Sequence, residues 1–447
     1  MDKLTIFFTE LMRKYLPEPF VFALSLTFLT MILAILIEGC GFVDVVNSWG
    51  KGFWGLLAFT TQMAVILAMG YVLATAPFTE RLLDAITGMA HTPRQAVIAA
   101  TLVGGIGSYL NWGFGLVIGG IIAKKIALNL RAKGVKVHYP LIIASAYSGF
   151  TLYGLGLSAS IPVLVSTPGH PMEHQMGVVP LSETIFSPAM LAVTLIVLIT
   201  LPLLNAALHP KEESKIIEVD PNVDAEAKKA PSMNLETTLA SKVNNSRILS
   251  LVACALAAVY VVDYFASGRS LDLNLVNFVI LFLGILLLGS PISYVNKLSE
   301  GIRTIPGIIL QYPFYAGIMA IMDHSGLVVS ISRLFTDVAT AETLPFFGLV
   351  SSFFINFFAP SAGGHWVIQG PFMMDAAIAL KSSLAHNAMA VMLGNAWNDL
   401  VQPFWILPAL AISRLKLKDI MGYTVVMMFW IGAIYMTAVL LWGYLGH

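Results

Sequence analysis

The chain has 447 residues, of which 57% are hydrophobic and only 11% are charged. Because a soluble domain carries about 25% charged residues, this composition excludes a typical soluble enzyme or binding module and indicates an all-α protein that crosses a membrane many times. Lysine plus arginine equal aspartate plus glutamate, at 25 each, so no excess of charge points to nucleic acid as a partner. Apolar stretches long enough to cross a bilayer recur along the chain, and the lipid bilayer is the expected surrounding.

Taken in chain order, the first half contains apolar segments at about 20–38, 53–76, 95–126, 139–166 and 185–208. The first of them is too long for the core of a signal peptide and is predicted to be the first membrane span. A polar stretch over 209–246 follows and is predicted to be a linker without a core of its own. The second half contains apolar segments at about 247–267, 273–290, 304–323, 344–380, 387–412 and 421–444.

Two of these segments, about 95–126 and about 344–380, are too long for one crossing and carry polar, glycine-rich centres, "NWGFG" and "NFFAPSAGGH". Each is predicted to be a re-entrant helical hairpin that enters and leaves the membrane on the same side. With this layout and a cytoplasmic N-terminus, the lysines and arginines lie on the cytoplasmic side, as the positive-inside rule requires, except Lys51, Arg269, Arg333 and Lys381. The predicted topology is therefore about nine crossings plus two hairpins, with the C-terminus outside.

The two halves of the chain resemble each other. The stretch "QMAVILAMGYVLATAPFTERLLDAI" from Gln62 aligns with "QYPFYAGIMAIMDHSGLVVSISRLF" from Gln311, and each leads to a hairpin and then to a broken span with a central proline, Pro162 or Pro403. An extra span makes the second half start on the opposite side of the membrane. This pattern predicts an inverted repeat, which is typical of secondary transporters. The predicted units are a first repeat at 1–208, a cytoplasmic linker at 209–246, a connecting span at 247–272 and a second repeat at 273–447.

The centre of the second hairpin, "NFFAPSAGGHWVIQGP", is predicted to be part of a binding site. Broken helices survive at membrane depth only where protein or a watery cavity covers them. Gly363 and Gly364 allow a backbone to approach a ligand closely, and a helix that starts after the tip directs free N–H groups at an anion. Ser361, His365 and Gln369 add side-chain donors. A glycine-rich packing corner is the alternative interpretation.

The first hairpin and the broken spans supply further candidates. Asn111 and Gly113 stand at the first tip, although glycines in membrane helices serve close packing equally often. The span "LGNAWNDLVQPFWILPAL" brings together polar residues within two turns: Asn395, Asn398, Asp399 and Gln402. Since Pro403 frees the carbonyl of Asp399 and ionisable residues inside spans are functional by default, Asp399 and Asn395 are predicted to hold Na⁺ or a proton; a purely structural carboxylate is the alternative. In the matching first-half span, Ser158 and Ser160 are equally compatible with binding and with packing.

Other titratable residues carry no predicted site. His170 and His174 flank Glu173 in a loop, where prolines on both sides argue against a helical metal-binding pair. No metal and no cofactor is expected apart from Na⁺ or H⁺ as a coupling ion. An intramembrane enzyme that uses His365 as a general base is disfavoured, because no serine, cysteine or metal-ligand set stands at a suitable spacing.

Four motifs resemble the bacterial short-chain fatty acid transporter family: "INFFAPSAGGHWVIQGPF" (Ile355–Phe372), "QPFWILPAL" (Gln402–Leu410), "NWGFGLV" (Asn111–Val117) and "GKGFW" (Gly50–Trp54). The similarity extends over essentially the whole chain. It implies an inner-membrane protein for uptake of butyrate, acetoacetate and similar monocarboxylates. It also implies the plan of the ion-transporter superfamily, in which paired hairpins and broken helices enclose substrate and cation and one domain moves like an elevator.

Carried onto this sequence, the resemblance implies a substrate site whose members lie in the hairpin tips and broken spans: Asn111, Asn356, Ser361, Gly363, Gly364, His365, Asn398 and Gln402, with Ser158 and Ser160. One feature departs from the family pattern, which has an acidic residue directly after the glycine corresponding to Gly394 and an amide at the position of Asp399. Here Asn395 and Asp399 have the two residue types exchanged, which puts the implied cation site in doubt.

The predicted function is secondary active uptake of a short-chain monocarboxylate, coupled to a cation. Hairpin N–H groups and amides would bind the carboxylate, and aromatic side chains would surround the tail: Trp112, Trp366, Phe404 or Trp405. The alternatives are a di- or tricarboxylate or gluconate-type symporter and a passive small-anion channel. The expected location is the bacterial inner membrane with the C-terminus in the periplasm, no nucleic acid is expected as a partner, and a homodimer is left open.

Overall fold

The computed structural model describes residues 19–221, 238–357 and 359–445. All regular secondary structure within these ranges is helical, which agrees with the predicted all-α class. The two chain ends and the middle of the predicted linker lie outside the described residues. The predicted topology also assigned each of these segments to one side of the membrane.

Residues 19–221 contain ten α-helices. In chain order they are α1 (Pro19–Leu36), α2 (Phe42–Gly52), α3 (Leu57–Ala74), α4 (Pro77–Met89), α5 (Pro93–Leu110), α6 (Trp112–Ala132), α7 (Tyr139–Ser148), α8 (Ser160–Val165), α9 (Glu173–Met176) and α10 (Pro188–Ala207). A 3₁₀ segment, Gly149–Leu155, continues α7 toward α8. Prolines begin several of these helices, since the first helical position needs no N–H donor. At the start of α5, Thr92 and Gln95 add a reciprocal capping box.

The part of the chain described after residue 237 contains eleven further α-helices. They are α11 (Leu239–Asn244), α12 (Arg247–Ala266), α13 (Leu273–Leu288), α14 (Pro291–Gly301), α15 (Pro306–Ser325), α16 (Leu327–Thr336), α17 (Leu344–Ile355), α18 (Ala362–Leu380), α19 (Leu384–Asn398), α20 (Pro403–Ser413) and α21 (Leu417–Leu445). Gly289 ends α13 and Gly326 ends α15, each in the left-handed conformation that glycine adopts most easily (φ +75° and +88°).

The helices pack into two groups. The first, here called the scaffold, consists of α1–α3 and α13–α15, which pack against one another. The second, here called the hairpin group, consists of α5–α8, α10 and α17–α21. The two groups meet where α3 packs on α6 and where α15 packs on α18. The hairpin segments of both halves therefore contact the same scaffold.

Both predicted hairpin segments fold back on themselves, but their arms are held together differently. In the first, only Asn111 separates α5 from α6. The two arms are so close that a Cβ on Gly115 would overlap the backbone of Ser108. In the second, the arms α17 and α18 are bridged by side chains. Gln369 Nε2 donates hydrogen bonds to the Gly348 carbonyl (3.1 Å) and to Ser351 Oγ (2.9 Å).

Length and composition make several helices suitable for crossing a membrane. Six such segments occur in the described ranges: Leu57–Ala74, Trp112–Ala132, Tyr139–Val165, Pro188–Ala207, Leu239–Ala266 and Leu417–Leu445. A seventh arises if the bent pair Pro291–Thr304 and Pro306–Ser325 forms one span. On α12, apolar side chains such as Leu256 (69% exposed) and Val262 (69%) face outward, as expected for contact with lipid. The prediction of nine crossings and of re-entrance stays a prediction.

The first part of the predicted linker packs on the loop between α6 and α7. The His138 N–H donates to His209 Nε2 (3.1 Å), and the Ile217 N–H donates to His138 Nδ1 (3.1 Å). Lys136 and Glu213 add an ion pair (2.8 Å). Burial, and secondly the neighbouring His209, lowers the pKa of His138 to about 4. Both imidazoles thus act as neutral acceptors that hold this segment against the hairpin group.

Candidate functional site

A small cavity lies where the hairpin group meets the scaffold. Its volume is about 10 Å³, which is room for roughly one water molecule. The lining residues come from both hairpins, from both broken spans and from the scaffold: Met63, Trp112, Phe150, Tyr153, Ser160, Ile308, Tyr312, Ser361, Ala362 and Trp405. The helix breaks that the sequence singled out thus converge on this cavity.

Aromatic rings dominate the wall of this cavity. Trp112 and Trp405 pack edge to face, with ring centroids 5.4 Å apart, and Phe150 stacks on Tyr153 at 4.6 Å. No lysine or arginine is among the described lining residues. The cavity wall therefore offers apolar contact with a few hydroxyl groups. Its chemistry suits a short tail that ends in one polar group, and a space for one water molecule has to widen before it admits such a molecule.

The first hairpin tip is fixed by local hydrogen bonds. Asn111 Oδ1 accepts from the Phe114 N–H (2.8 Å) and thereby caps α6. Ser158 Oγ accepts from the Trp112 N–H (2.9 Å), which ties the tip to the broken span. Two buried donors in this tip, Asn111 Nδ2 and Trp112 Nε1, have no hydrogen-bond partner among the described residues. Gly113 packs on Leu67 of the scaffold, 3.2 Å from where its Cβ would lie.

The second tip contacts the scaffold through its first turn. Ser361 Oγ and the Tyr312 hydroxyl are hydrogen-bonded at 2.7 Å. A Cβ on Gly363 would lie 2.6 Å from Phe59 Cζ, and one on Gly364 would lie 2.6 Å from Tyr315 Cε2. Neither glycine is among the residues that line the cavity. These glycines let α18 approach aromatic rings of the scaffold, and their predicted role in presenting N–H groups to an anion stays a prediction.

The polar residues predicted around the second broken span form one buried network with the second hairpin. Asn356 Nδ2 donates to Asp399 Oδ1 (2.8 Å) and to Asn398 Oδ1 (3.1 Å). Asn395 Nδ2 donates to Asn356 Oδ1 (2.5 Å), and Gln402 Nε2 donates to the Asn356 carbonyl (3.1 Å). The structure thus brings together residues that are about 40 positions apart in sequence.

Tyr153 connects this network to the cavity. Its ring lines the cavity, while its hydroxyl lies 2.5 Å from Asn395 Oδ1 and 2.9 Å from Asp399 Oδ2. Sequence reasoning missed Tyr153, as it missed Tyr312, Phe150 and Met63. The glycine-rich stretch "GFTLYGLG" before Leu157 was the one available signal, because it breaks a helix just as "NDLVQP" does in the second half.

The carbonyl of Asp399, predicted to be free for a cation because of Pro403, already has donors. It accepts from the Tyr147 hydroxyl and from the Gln402 N–H (3.3 Å). In the described ranges no group of three or more histidine, cysteine, aspartate or glutamate side chains could hold a metal ion. A cation at this site would therefore rely on amide, hydroxyl and single carboxylate oxygens.

Two other predicted residues, His365 and Trp366, do not line the cavity. His365 is fully buried between the hairpin arms, where Nε2 contacts Ser352 Oγ (3.2 Å) and Gln369 Oε1, and Nδ1 lies 3.4 Å from Asn395 Nδ2. Trp366 is buried but does not line the cavity. The side chain of Phe404 lies outside the described residues.

Comparisons with known protein sequences identify the family of this chain. The sequence profile of the family described as "Short chain fatty acid transporter" matches residues 1–442. A protein of Haemophilus influenzae, provisionally named a short-chain fatty acid transporter, is 41% identical over 437 residues, covering 95% of this chain and 96% of that protein. An Escherichia coli protein with the same provisional name is 38% identical over 437 residues, covering 97% of this chain and 98% of that protein.

The fold also resembles a solved structure. The crystal structure of the Alcanivorax borkumensis YdaH transporter superposes with a TM-score of 0.63 at 13% identity, covering 96% of this chain and 99% of that one. At this identity the likeness concerns the fold. The chain is a multi-pass membrane transporter rather than an enzyme, and it belongs to the short-chain fatty acid transporter family.

Proposed function

We propose that this protein is a secondary transporter that takes up a short-chain monocarboxylate, such as butyrate or acetoacetate, together with a coupling cation, across the inner membrane of a bacterium. The observation that carries the proposal is the cavity between the hairpin tips, the broken spans and the scaffold. The provisional names of the two relatives support the same substrate class.

The chemistry of the cavity favours a small monocarboxylate over a larger polyacid. A second or third carboxylate would need its own positive or hydrogen-bonding partners, because an unpaired buried charge is costly, and no lysine or arginine is among the described lining residues. One carboxylate can use the unpartnered Asn111 Nδ2 and Trp112 Nε1 at the first tip with the hydroxyls of Ser160 and Ser361. A two- to four-carbon tail gains only about 0.8 kcal/mol per buried CH₂, so weak affinity and shallow selectivity for tail length are expected.

Alternating access would come from sliding of the hairpin group along the scaffold. The helix order supports an inverted repeat: α1–α3 followed by a hairpin and a broken span corresponds to α13–α15 followed by a hairpin and a broken span. The cavity is bounded by scaffold residues on one side, so a sliding movement would open it toward one side of the membrane and then toward the other. Asp399 is the buried carboxyl that would respond to the coupling cation.

The test is uptake of radiolabelled butyrate into proteoliposomes under an imposed H⁺ or Na⁺ gradient. The proposal expects accumulation above the outside concentration with at least one gradient and competition by unlabelled acetoacetate. Equilibration without accumulation would favour a passive anion channel. Competition by succinate, citrate or gluconate with none by acetoacetate would instead assign the protein to one of the other symporter types.

A further inference from the structure

Four buried side chains form a closed ring of contacts at the centre of the hairpin group. In order around the ring they are Asp399, Asn356, Asn395 and Tyr153, and the last of them contacts Asp399 again. The four contacts are Asn356 to Asp399 (2.8 Å), Asn395 to Asn356 (2.5 Å), Tyr153 to Asn395 (2.5 Å) and Tyr153 to Asp399 (2.9 Å). No member is more than 4% exposed. Every contact joins two polar atoms directly, so each needs one hydrogen atom.

The hydrogens available to this ring can be counted from the chemistry of the groups. Each asparagine has one donor end and one acceptor end, so within a ring it supplies a hydrogen to one neighbour and accepts from the other. A tyrosine hydroxyl supplies one hydrogen. Asn356, Asn395 and Tyr153 together supply three hydrogens for the four contacts. An ionised aspartate supplies none.

This count does not depend on how the amides are oriented. With the orientation in the structure, Asn356 donates to Asp399, Asn395 donates to Asn356 and Tyr153 donates to Asn395, which leaves the contact between Tyr153 and Asp399 Oδ2 without a hydrogen. If both amides are turned over, the contact between Asn356 and Asp399 lacks one instead. In either case two acceptors would face each other in a buried site, where an unmatched polar contact is expensive.

We infer that Asp399 carries a proton in this conformation and that H⁺ is the coupling ion. The protonation of Asp399 is inferred from the ring alone. The assignment of H⁺ as the coupling ion also rests on the proposed function. A carboxylic acid supplies the fourth hydrogen and closes the ring. Release of this proton restores an anionic carboxylate and removes one hydrogen bond, so the ring opens. A monocarboxylate anion that travels with the proton on Asp399 adds no net charge to the hairpin group.

Among the described residues, none that contacts the Asp399 carboxyl carries a positive charge. The titratable groups that face it are Tyr153, at the carboxyl, and Tyr147, at the backbone carbonyl. His365 is separated from it by Asn395. Among the described residues no lysine or arginine forms an ion pair with Asp399; the pairs found lie elsewhere, at surface positions such as Lys136–Glu213 and Lys297–Glu300. The proton is therefore what neutralises this buried carboxyl.

The experiment is infrared spectroscopy of the purified protein in lipid at neutral pH, in H₂O and in D₂O. A protonated carboxylic acid gives a carbonyl band that shifts on deuteration. The inference expects this band in the parent and its loss in Asp399→Asn, a variant that completes the ring with an amide hydrogen. The exposed Asp337 provides the control, since Asp337→Asn should leave the band unchanged.

Two tyrosine variants test whether the infrared band depends on the ring or on packing around Asp399 in general. Tyr153→Phe removes a hydroxyl that contacts the Asp399 carboxyl, which opens the ring and should move the band. Tyr147→Phe removes a hydroxyl that contacts the backbone carbonyl of Asp399 and should leave the band in place. Absence of the band in the parent would overturn the inference, because Asp399 would then be ionised with the Tyr153 hydrogen shared between two acceptors. Equal effects of Tyr147→Phe and Tyr153→Phe would overturn the assignment of the proton to the ring.

Transport measurements provide a second test of the inference. Butyrate uptake in proteoliposomes should follow an imposed H⁺ gradient and should not respond to Na⁺, and Asp399→Asn should lose accumulation while it keeps butyrate exchange. Uptake driven by Na⁺ alone would overturn H⁺ coupling. If the band is present but no monocarboxylate is transported under any gradient, the proposed substrate is wrong and the protonated ring stands, so the two failures can be told apart.

Discussion

Gly364→Ala is expected to impair transport by pushing α18 away from the scaffold. The added Cβ would overlap the ring of Tyr315, 2.6 Å from Cε2, whereas ordinary contact begins at 3.4 Å. Helix and ring would therefore have to separate by about 0.8 Å at this atom. Tyr315 cannot swing aside, since it is fully buried and its hydroxyl donates to Gln311 Oε1 (3.2 Å).

The size of the effect follows from the cost of overpacking. Forcing one extra methyl group into a packed contact costs about 1–3 kcal/mol. Because the overlap lies between the hairpin group and the scaffold, this cost falls on the conformation described above, in which α18 packs on α15. Its population relative to other conformations should fall roughly 5- to 150-fold, and butyrate uptake per folded protein should fall at least about fivefold.

The assay is initial butyrate uptake in proteoliposomes, normalised to folded protein measured by size-exclusion chromatography. Gly88→Ala is the matched control: Gly88 is also a helical glycine, in α4, but nothing lies within 4 Å of its Cβ position, and alanine favours a helix by up to about 1 kcal/mol. Uptake by Gly364→Ala within twofold of the parent, at normal yield, would refute the reasoning that this contact limits the transport cycle.

Three further predictions address packing, selectivity and pH. Gly115→Ala should lower the stability of the detergent-solubilised protein by about 1–3 kcal/mol, because its Cβ would overlap the backbone N of Ser108 as well as its side-chain Oγ, and turning the side chain away would not relieve the backbone overlap; an unchanged melting temperature would contradict the close packing of α5 on α6. Met63→Ala should enlarge the cavity and shift the ratio of hexanoate to butyrate uptake upward by about fourfold per accommodated CH₂, and an unchanged ratio would place the tail elsewhere. For His138, the lowered pKa of about 4 against about 6.5 when unfolded means that the docked linker is most stable above about pH 6.5 and loosens as the pH falls toward about 4. The protection of the Ile217 amide from hydrogen exchange, measured relative to the intrinsic exchange rate at the same pH, should therefore fall on acidification, and it should fall more than the protection of an amide inside α12.

Much of this architecture could be predicted because apolar membrane sequences make interruptions conspicuous. Asn111 and Asn356 stand out in long apolar runs, and both mark the positions where hairpin arms meet. The amide cluster beside Pro403 was found for the same reason. In each case a polar or helix-breaking residue is costly inside a membrane unless the fold gives it partners.

What could not be predicted depends on contacts between distant parts of the chain. Tyr153 is an ordinary aromatic residue in sequence, and its importance arises only from contact with Asp399, which is 246 positions away. A pair of glycines at a helix start indicates that something approaches the backbone closely, but sequence cannot distinguish a ligand from the ring of Tyr315. The Asp399 carbonyl was likewise predicted to be free, although the hydroxyl of Tyr147 reaches it.

The ring also explains why Asn395 and Asp399 can exchange residue types. Both positions contact the same two partners, Asn356 and Tyr153. A ring of one carboxyl, two amides and one hydroxyl needs one acid proton whichever of the two positions holds the carboxyl. The exchange seen in this chain, relative to the pattern it resembles, therefore moves the acid by one helical turn and preserves the hydrogen count.

This equivalence predicts a rescue. Asn395→Asp alone places two carboxyls in the ring, which then closes only if both are protonated, and accumulation of butyrate should be lost. Adding Asp399→Asn restores one carboxyl and two amides, so the double variant should recover H⁺-driven uptake and its dependence on pH. Neighbours that share partners are expected to behave non-additively, and the cycle of parent, two single variants and double variant measures this directly. A double variant no more active than Asn395→Asp would show that the carboxyl must stand at position 399, and the ring would not be the unit that holds the proton.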